Sequence, residues 1–421
     1  MKESGPSMAQ STNASTEGHT LAKSTPLTPP QTHFPRVSDT WDGMGNVFAE
    51  ETAPLQQFID SLDFEWLRRR STTVRGIECT IRTDNFSAGQ DNIAYEITFS
   101  DSVSWVARIA LPPFTAPTAP FSHRSSAEIQ SEISTIEYVS RHTSIPVPKL
   151  YDYNIEAKNG LGAPYILMEA INGRFVEHLC RIPGKFIRHV YAQIAGIVLQ
   201  LSKLRFPHIG LLHRDEDTSE YGIRGCIFEG YFRENAFSSS HEFYYRRMHN
   251  FLQHRRRAET LDHDWIVLAW MYMQSIPRLT IAELDSGPFP LRHPDLNNAN
   301  LMYDDEYNIV GVIDWTATQT APVQSFAVPP NDFRVKEGVK QRELYFEVFK
   351  QVEQAENPDT PLFALMSDKR CLLTELVDSY WGYMRFPQEN AMKLARLLYG
   401  DTTEWDDVKE MYQKSMSQEN E

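Results

Sequence analysis

The chain has 421 residues, 41% of them hydrophobic and 23% charged, the proportions of an ordinary globular protein large enough for more than one lobe. Its formal charge of −15 argues against nucleic acid or an anionic membrane surface as a partner, because both repel an acidic face. No apolar run is long enough to span a bilayer, and the four cysteines, Cys79, Cys180, Cys226 and Cys371, are too widely spaced for a metal-ligand grouping. Free thiols in a reducing compartment, and an N-terminus without a signal-peptide apolar region, lead us to expect a cytoplasmic protein.

Residues 1–44 are rich in Ser, Thr and Pro and are expected to form a disordered tail. A first amphipathic helix is predicted over 54–70, where Leu55, Phe58, Ile59, Leu62 and Trp66 recur at helical spacing. Three β-like stretches follow, at 76–81, 93–99 and 103–110. The loop Phe86–Asn92 between the first two carries Ser87 and Gly89, and its backbone N–H groups could lie over phosphates. Beyond a Pro-rich connector, a helix is predicted over 126–143, capped by Ser125 or Ser126, with Ile129, Ile133, Ile136 and Val139 on one side. Residues 145–153 read as extended, and 164–173 as a buried strand running into a linker.

A long helix is expected over 185–204. His213-Arg214-Asp215 has the look of a catalytic triplet, but Glu220 stands five residues after Asp215 and no apolar strand ending in Asp follows, so we read an acidic loop. The aromatic-rich stretch 220–250 either lines a substrate cleft or packs a subdomain, with packing preferred. A helix over 258–284, broken near Pro277, leads on. Helices near 333–355, 361–383, 387–399 and 402–415 close the chain. Their acidic residues Glu375, Asp378 and Glu389 face either a substrate or, more commonly for such residues, solvent.

Residues 291–316 hold the chemistry. His293-Pro294-Asp295 opens a tight turn, and Asn300 follows five residues after Asp295. Leu301–Tyr303 and Ile309–Ile313 then read as a hairpin around Asp304–Asn308, which would bring Asn300 and Asp314 to one end. Transfer of a phosphoryl group to a hydroxyl needs one carboxylate to accept a proton, and an amide oxygen and a second carboxylate to hold Mg²⁺ on the nucleotide phosphates. Asp295, Asn300 and Asp314 have the types and order for those jobs.

The spacing H-x-D-x-x-x-x-N, followed by a strand and Ile313-Asp314-Trp315, resembles the aminoglycoside phosphotransferase and choline kinase superfamily, and in particular its fungal branch. The resemblance implies an α+β, protein-kinase-like fold of two lobes: a small β-sheet lobe with one helix over 45–170, and a larger, mainly helical lobe over 171–421. It also implies a cation on the third strand. Val106-Ala107-Arg108 places Arg108 where such kinases usually have Lys. Glu128, Glu132 and Glu137 are candidates to pair with it, and S-E-I-S-T-I-E-Y-V matches the family helix best at Glu132. Glu169 and Ile171 would contact adenine through backbone atoms. His293 is expected to donate to backbone near Asp314. The expected activity is ATP-dependent transfer to a small-molecule hydroxyl acceptor, with Mg²⁺ as cofactor. Arg108 in the Lys position keeps a second reading open, a nucleotide-binding pseudokinase acting as an interaction module.

Overall fold

The computed structural model describes residues 37–46, 49–89, 91–112, 125–176, 178–228, 232–257, 261–334, 339–356, 362–378 and 388–418. Most of the expected tail lies outside them. Residues 37–46, partly assigned to that tail, instead form two short 3₁₀ turns, Val37–Thr40 and Met44–Asn46, held by hydrogen bonds to the first strand.

The expected first helix is two helices, α1 (Ala49–Asp60) and α2 (Phe64–Arg75). The break falls where the Asp63 carboxylate accepts the Trp66 N–H at 2.7 Å and starts the second helix. Five strands follow: β1 (Cys79–Ala88), β2 (Asn92–Phe99), β3 (Ser104–Ala110), β4 (Leu150–Asn154) and β5 (Tyr165–Glu169). They form one sheet in the order β1-β2-β3-β5-β4, with antiparallel neighbours. Alternation divides its two faces. Tyr95, Ile97 and Phe99 with Trp105, Ala107 and Ile109 join Leu55, Ile59, Leu62 and Leu67 in a core against α1 and α2. Helix α3 (Ser126–His142) packs Ile129 and Ile133 against Ala110, Ile166 and Met168 on the other face. Ser125 caps it in a reciprocal box with Glu128. The sheet lobe thus carries α3 together with α1 and α2, which stand where the sequence predicts a single helix over 54–70.

The second lobe is mainly helical. It opens with α4 (Gly184–Lys203), followed by short strands β6 (Arg205–Phe206), β7 (Leu212–Arg214), β8 (Tyr221–Ile223), β9 (Cys226–Phe228) and β10 (Phe232–Glu234). Helices α5 (Ser240–Arg257) and α6 (His263–Leu279) come next. The expected break at Pro277 is absent, since α6 runs through it to Leu279. A proline so close to the C-terminus disturbs only the last turn. Around residues 291–316 lie β11 (Phe289–Arg292), β12 (Leu301–Tyr303), β13 (Ile309–Val312) and β14 (Gln319–Thr320). The remaining helices are α7 (Val323–Phe326), α8 (Val339–Glu356), α9 (Leu362–Met366), α10 (Lys369–Asp378), α11 (Gln388–Tyr399) and α12 (Trp405–Gln418).

One core joins α4 and α8 to the β12–β13 hairpin through Val190, Ile194, Tyr303, Val312 and Tyr345. A second holds Phe228, Phe237, Phe243 and Tyr244 of the aromatic stretch with α6 and α11, which is the packing reading. Glu375 is buried against Arg342 at 2.8 Å, and Glu389 pairs with Lys393 on the surface at 2.7 Å. The side chain of Asp378 lies outside the described residues. The α+β, two-lobe, protein-kinase-like architecture expected from the sequence is the one observed.

Candidate active site

The two lobes meet at a cleft of about 530 Å³. Ser87, Gly89, Arg108, Glu132, Glu169, Ile171, Asn300 and Asp314 all line it, together with the apolar side chains of Ala94, Val106, Met168 and Met302. Asp295 is not on the lining, but the neighbouring Asn300 connects it to the cleft.

Arg108 is the hub of the polar end. Its guanidinium donates to Glu132 on α3, to Asp314 Oδ1 at 2.6 Å and to Thr316 Oγ1 at 2.9 Å. The Glu132 side chain has 0% exposure, against 41% for Asp314. The other candidate carboxylates are engaged elsewhere: Glu128 with Arg233 at 2.9 Å, and Glu137 with Arg214 at 3.2 Å. Burial acts to raise the Asp314 carboxyl. The Arg108 charge and the hydrogen bonds from Thr316 and Arg108 outweigh it and hold Asp314 below the usual carboxylate range. Asp314 takes a left-handed φ of 60°, which Asp tolerates better than most residues.

The β12–β13 hairpin forms as expected, with Leu301 opposite Val312. Asp304 fixes its turn by accepting the Asn308 N–H at 2.8 Å. At its open end the Ile313 N–H donates to the Asn300 carbonyl at 3.0 Å, which brings the residue before Asp314 against Asn300. The linker after β5 lies on this hairpin, with Arg174 and Tyr303 exchanging backbone bonds of 2.8 and 2.9 Å. Glycine suits this close approach: a Cβ on Gly173 would come within 2.8 Å of Val310 Cγ2, and one on Gly311 within 2.6 Å of Ile171 Cδ1, so either would push a neighbouring side chain aside.

The loop from His293 to Asn300 is held by amides and by one imidazole. Asn300 Nδ2 donates to Asp295 Oδ2 at 3.1 Å and to its carbonyl at 2.8 Å. Asn297 and Asn331 donate to Asp295 Oδ1 at 2.6 and 2.7 Å. The His293 ring lies against Trp315, and its Nδ1 accepts the Asp295 N–H at 3.2 Å. That assigns the proton to Nε2, which donates to the Ile313 carbonyl at 3.1 Å, the backbone contact expected of it. His293 is 4% exposed, and burial pushes its pKa below the ordinary value.

Two sequence expectations change here. The sequence reads Ser87 and Gly89 as part of a loop between two strands, yet β1 runs through Ser87, and the Gly89 N–H donates to the Asn92 carbonyl at 2.9 Å. The Gly89 amide therefore closes a tight hairpin. The triplet His213-Arg214-Asp215 lies partly in β7, and Asp215 caps its own turn through Thr218 N–H at 3.0 Å. Sequence reasoning missed Thr316, Asn331 and Asp332; the Asp332 carboxylate accepts the Asn298 N–H at 2.7 Å. Only Thr316, beside Asp314-Trp315, carried a local signal.

As a donor set for a hard divalent cation, Asn300 and Asp314 supply oxygen atoms, as Mg²⁺ prefers. The amide nitrogen of Asn300 is committed to Asp295, so its oxygen is the atom left for a metal. Among the described residues no group of three or more His, Cys, Asp or Glu could hold a metal, so any cation held by Asn300 and Asp314 would need phosphate or water oxygens as its other ligands.

A five-stranded sheet facing a helical lobe, with an Arg–Glu pair on one wall and an Asn and an Asp from a hairpin on the other, defines a kinase-type phosphotransferase. Residues 83–355 match the Phosphotransferase enzyme family, and the chain belongs to that family. Clavilactone A biosynthesis cluster protein Y of Ampulloclitocybe clavipes is 23% identical over 297 residues, covering 65% of this chain and 71% of that protein. A subtelomeric hrmA-associated cluster protein of Aspergillus fumigatus is 28% identical over 102 residues, 24% of this chain. The chain spans only 19% of that relative's length. Among solved structures, a candidate fructosamine-3-kinase of Thermobifida fusca superposes with a TM-score of 0.51 at 15% identity, covering 78% of this chain and 97% of that one. That likeness supports the fold. No helix among the described residues is long and apolar enough to cross a membrane.

Proposed function

We propose that this protein is an ATP-dependent phosphotransferase that moves the γ-phosphoryl group to a hydroxyl of a small molecule. The supporting observation is the convergence on one cleft of Arg108 with Glu132 from the sheet lobe and Asn300 with Asp314 from the helical lobe, with Asp295 bonded to Asn300. The volume suits a small-molecule ligand.

In this reading residues 45–170 form the nucleotide lobe and 171–421 the catalytic lobe. The adenine lies between Val106 and Met168 above and Met302 below, and meets the backbone of Glu169 and Ile171. Arg108, held by Glu132, faces the α- and β-phosphates. Asn300 and Asp314 would hold Mg²⁺, which when bound neutralises phosphate charge. Asp295 orients the acceptor hydroxyl and takes its proton, and the amides of Asn297 and Asn331 fix that carboxylate in place. Positioning and charge neutralisation carry most of the rate, because the transfer leaves little covalent chemistry to the protein. The net charge of −15 disfavours nucleic acid, and cysteines outside disulfides fit a reducing, cytoplasmic setting.

Two observations favour a second reading. Arg108 occupies an oxygen of Asp314, the proposed metal carboxylate, and the Gly89 amide is closed into its hairpin. A pseudokinase that binds nucleotide without turnover would tolerate both. ATP binding measured with and without Mg²⁺, alongside turnover, separates the two. An enzyme binds ATP more tightly with Mg²⁺ and consumes it when an acceptor is supplied, whereas a pseudokinase shows no turnover.

A further inference from the structure

The short segment 37–46 is seated on the cleft face of the sheet by three anchors. The Ser38 hydroxyl donates to Glu96, whose other oxygen accepts the Ser104 hydroxyl at 2.6 Å. Asn85 Nδ2 donates to the Ser38 carbonyl at 3.0 Å. The Gly43 N–H donates to the Phe86 carbonyl at 2.9 Å, from a residue with a left-handed φ of 60° that favours glycine. Glu96 is 5% exposed, and a carboxylate so buried is costly without hydrogen-bond partners. The segment therefore belongs to the fold of the lobe.

Between the first anchor and the last lies Trp41. It is half-buried, and with Thr40 it lines the cleft. Strand register shows which part of the cleft it covers. Ser87, Ala94 and Arg108 form one cross-strand row. Glu96, Val106 and Met168 form the next row on the same face, nearer the linker after β5. The segment is tied to both rows, at Glu96 and beside Ser87. Trp41 thus stands at the β1–β2 side of the cleft, where the segment meets both rows, and shares its lining with Arg108, Val106 and Met168.

We propose that Trp41 packs its indole against the ribose and base of the bound nucleoside triphosphate, so that residues 37–46 form a wall of the donor site. This rests on the nucleotide reading of the cleft and extends it to a residue that governs affinity for the nucleoside. The physical basis is the attraction between an aromatic face and a purine, which needs no particular hydrogen-bond pattern. The closed β1–β2 turn makes such a wall useful, since the Gly89 amide is already committed.

The test is calorimetric titration of ATP, in the presence of Mg²⁺, into the full chain and its Trp41→Ala and Trp41→Phe variants, with the thermal unfolding midpoint of each ligand-free protein. Trp41→Ala should weaken ATP binding by about tenfold, the effect expected for loss of one stacking side chain. Trp41→Phe should recover most of it, and neither midpoint should move. Wild-type affinity in Trp41→Ala overturns the proposal while leaving the nucleotide site standing. So does an equal loss in both variants accompanied by lower midpoints, which marks Trp41 as structural only. A wild-type protein that binds no ATP overturns the site reading itself, and this inference with it.

Discussion

Arg108 concentrates the account in one side chain. It bridges a fully buried carboxylate, a half-exposed one and a hydroxyl. Arg108→Ala leaves Glu132 buried without its cation, and should cost about 3–5 kcal/mol in chemical denaturation. Arg108→Lys keeps the charge but loses the fork that reaches two carboxylates at once, so the stability loss should be smaller. Asp295→Asn keeps the shape of the side chain and removes its ability to accept a proton. Its turnover should fall by about 10²–10⁴, with ATP affinity and fold retained. His293 gives a pH dependence. Its folded pKa is depressed, so below the ordinary value of about 6.5 the unfolded chain binds a proton that the folded chain refuses. Stability should therefore decline as pH falls through that value. Protonation at Nδ1 would also break the bond from the Asp295 N–H. A denaturation midpoint that shows no His293-dependent fall between about pH 7.5 and 5.5 would contradict this assignment.

Elements differ in how openly the sequence announces them. The β12–β13 hairpin was legible because its signals are local: apolar runs flanking Asp304–Asn308, with the polar residues of interest at its open end. Helix α3 and Glu132 were legible in part: periodicity gave the helix but fitted three carboxylates to the pairing, and only the family resemblance singled out Glu132, which the structure pairs with Arg108 while Glu128 and Glu137 are engaged elsewhere. The division between α1 and α2 was hidden, because the apolar spacing continues across the break and only the Asp63 cap marks it. The turn at Asn331-Asp332 was illegible: it meets Asp295 from 36 residues away, with no motif of its own. It nonetheless clamps the catalytic loop at two points, through Asp295 and Asn298. Asn331→Ala removes one of the two amides on Asp295 Oδ1. It should lower kcat by roughly tenfold, the scale of a misaligned catalytic group, and leave ATP affinity unchanged. An equal change in affinity would show instead that the turn shapes the donor side.

At the scale of the molecule, the sheet lobe supplies a cation and an apolar roof, and the helical lobe supplies the Asp314 carboxylate, the Asn300 amide and, in the proposed function, the proton acceptor Asp295. Each set is incomplete alone, and the linker pinned at Gly173 and Gly311 seats one against the other. The Arg108–Asp314 bond crosses the cleft and ties the lobes together. In the proposed function Mg²⁺ and the guanidinium would share the Asp314 carboxylate, of which Arg108 holds Oδ1. Asp314→Ala should thus abolish the dependence of ATP binding on Mg²⁺, and unchanged affinity and Mg²⁺ dependence would remove Asp314 from the metal site. The most direct test of phosphoryl transfer is incubation of the protein with ATP, Mg²⁺ and a library of hydroxylated metabolites, read by mass spectrometry for products heavier by one phosphate. The account predicts at least one such product with the wild-type protein, and its loss in Asp295→Asn. ATP bound without any phosphorylated product, or a product formed equally well by Asp295→Asn, would contradict it.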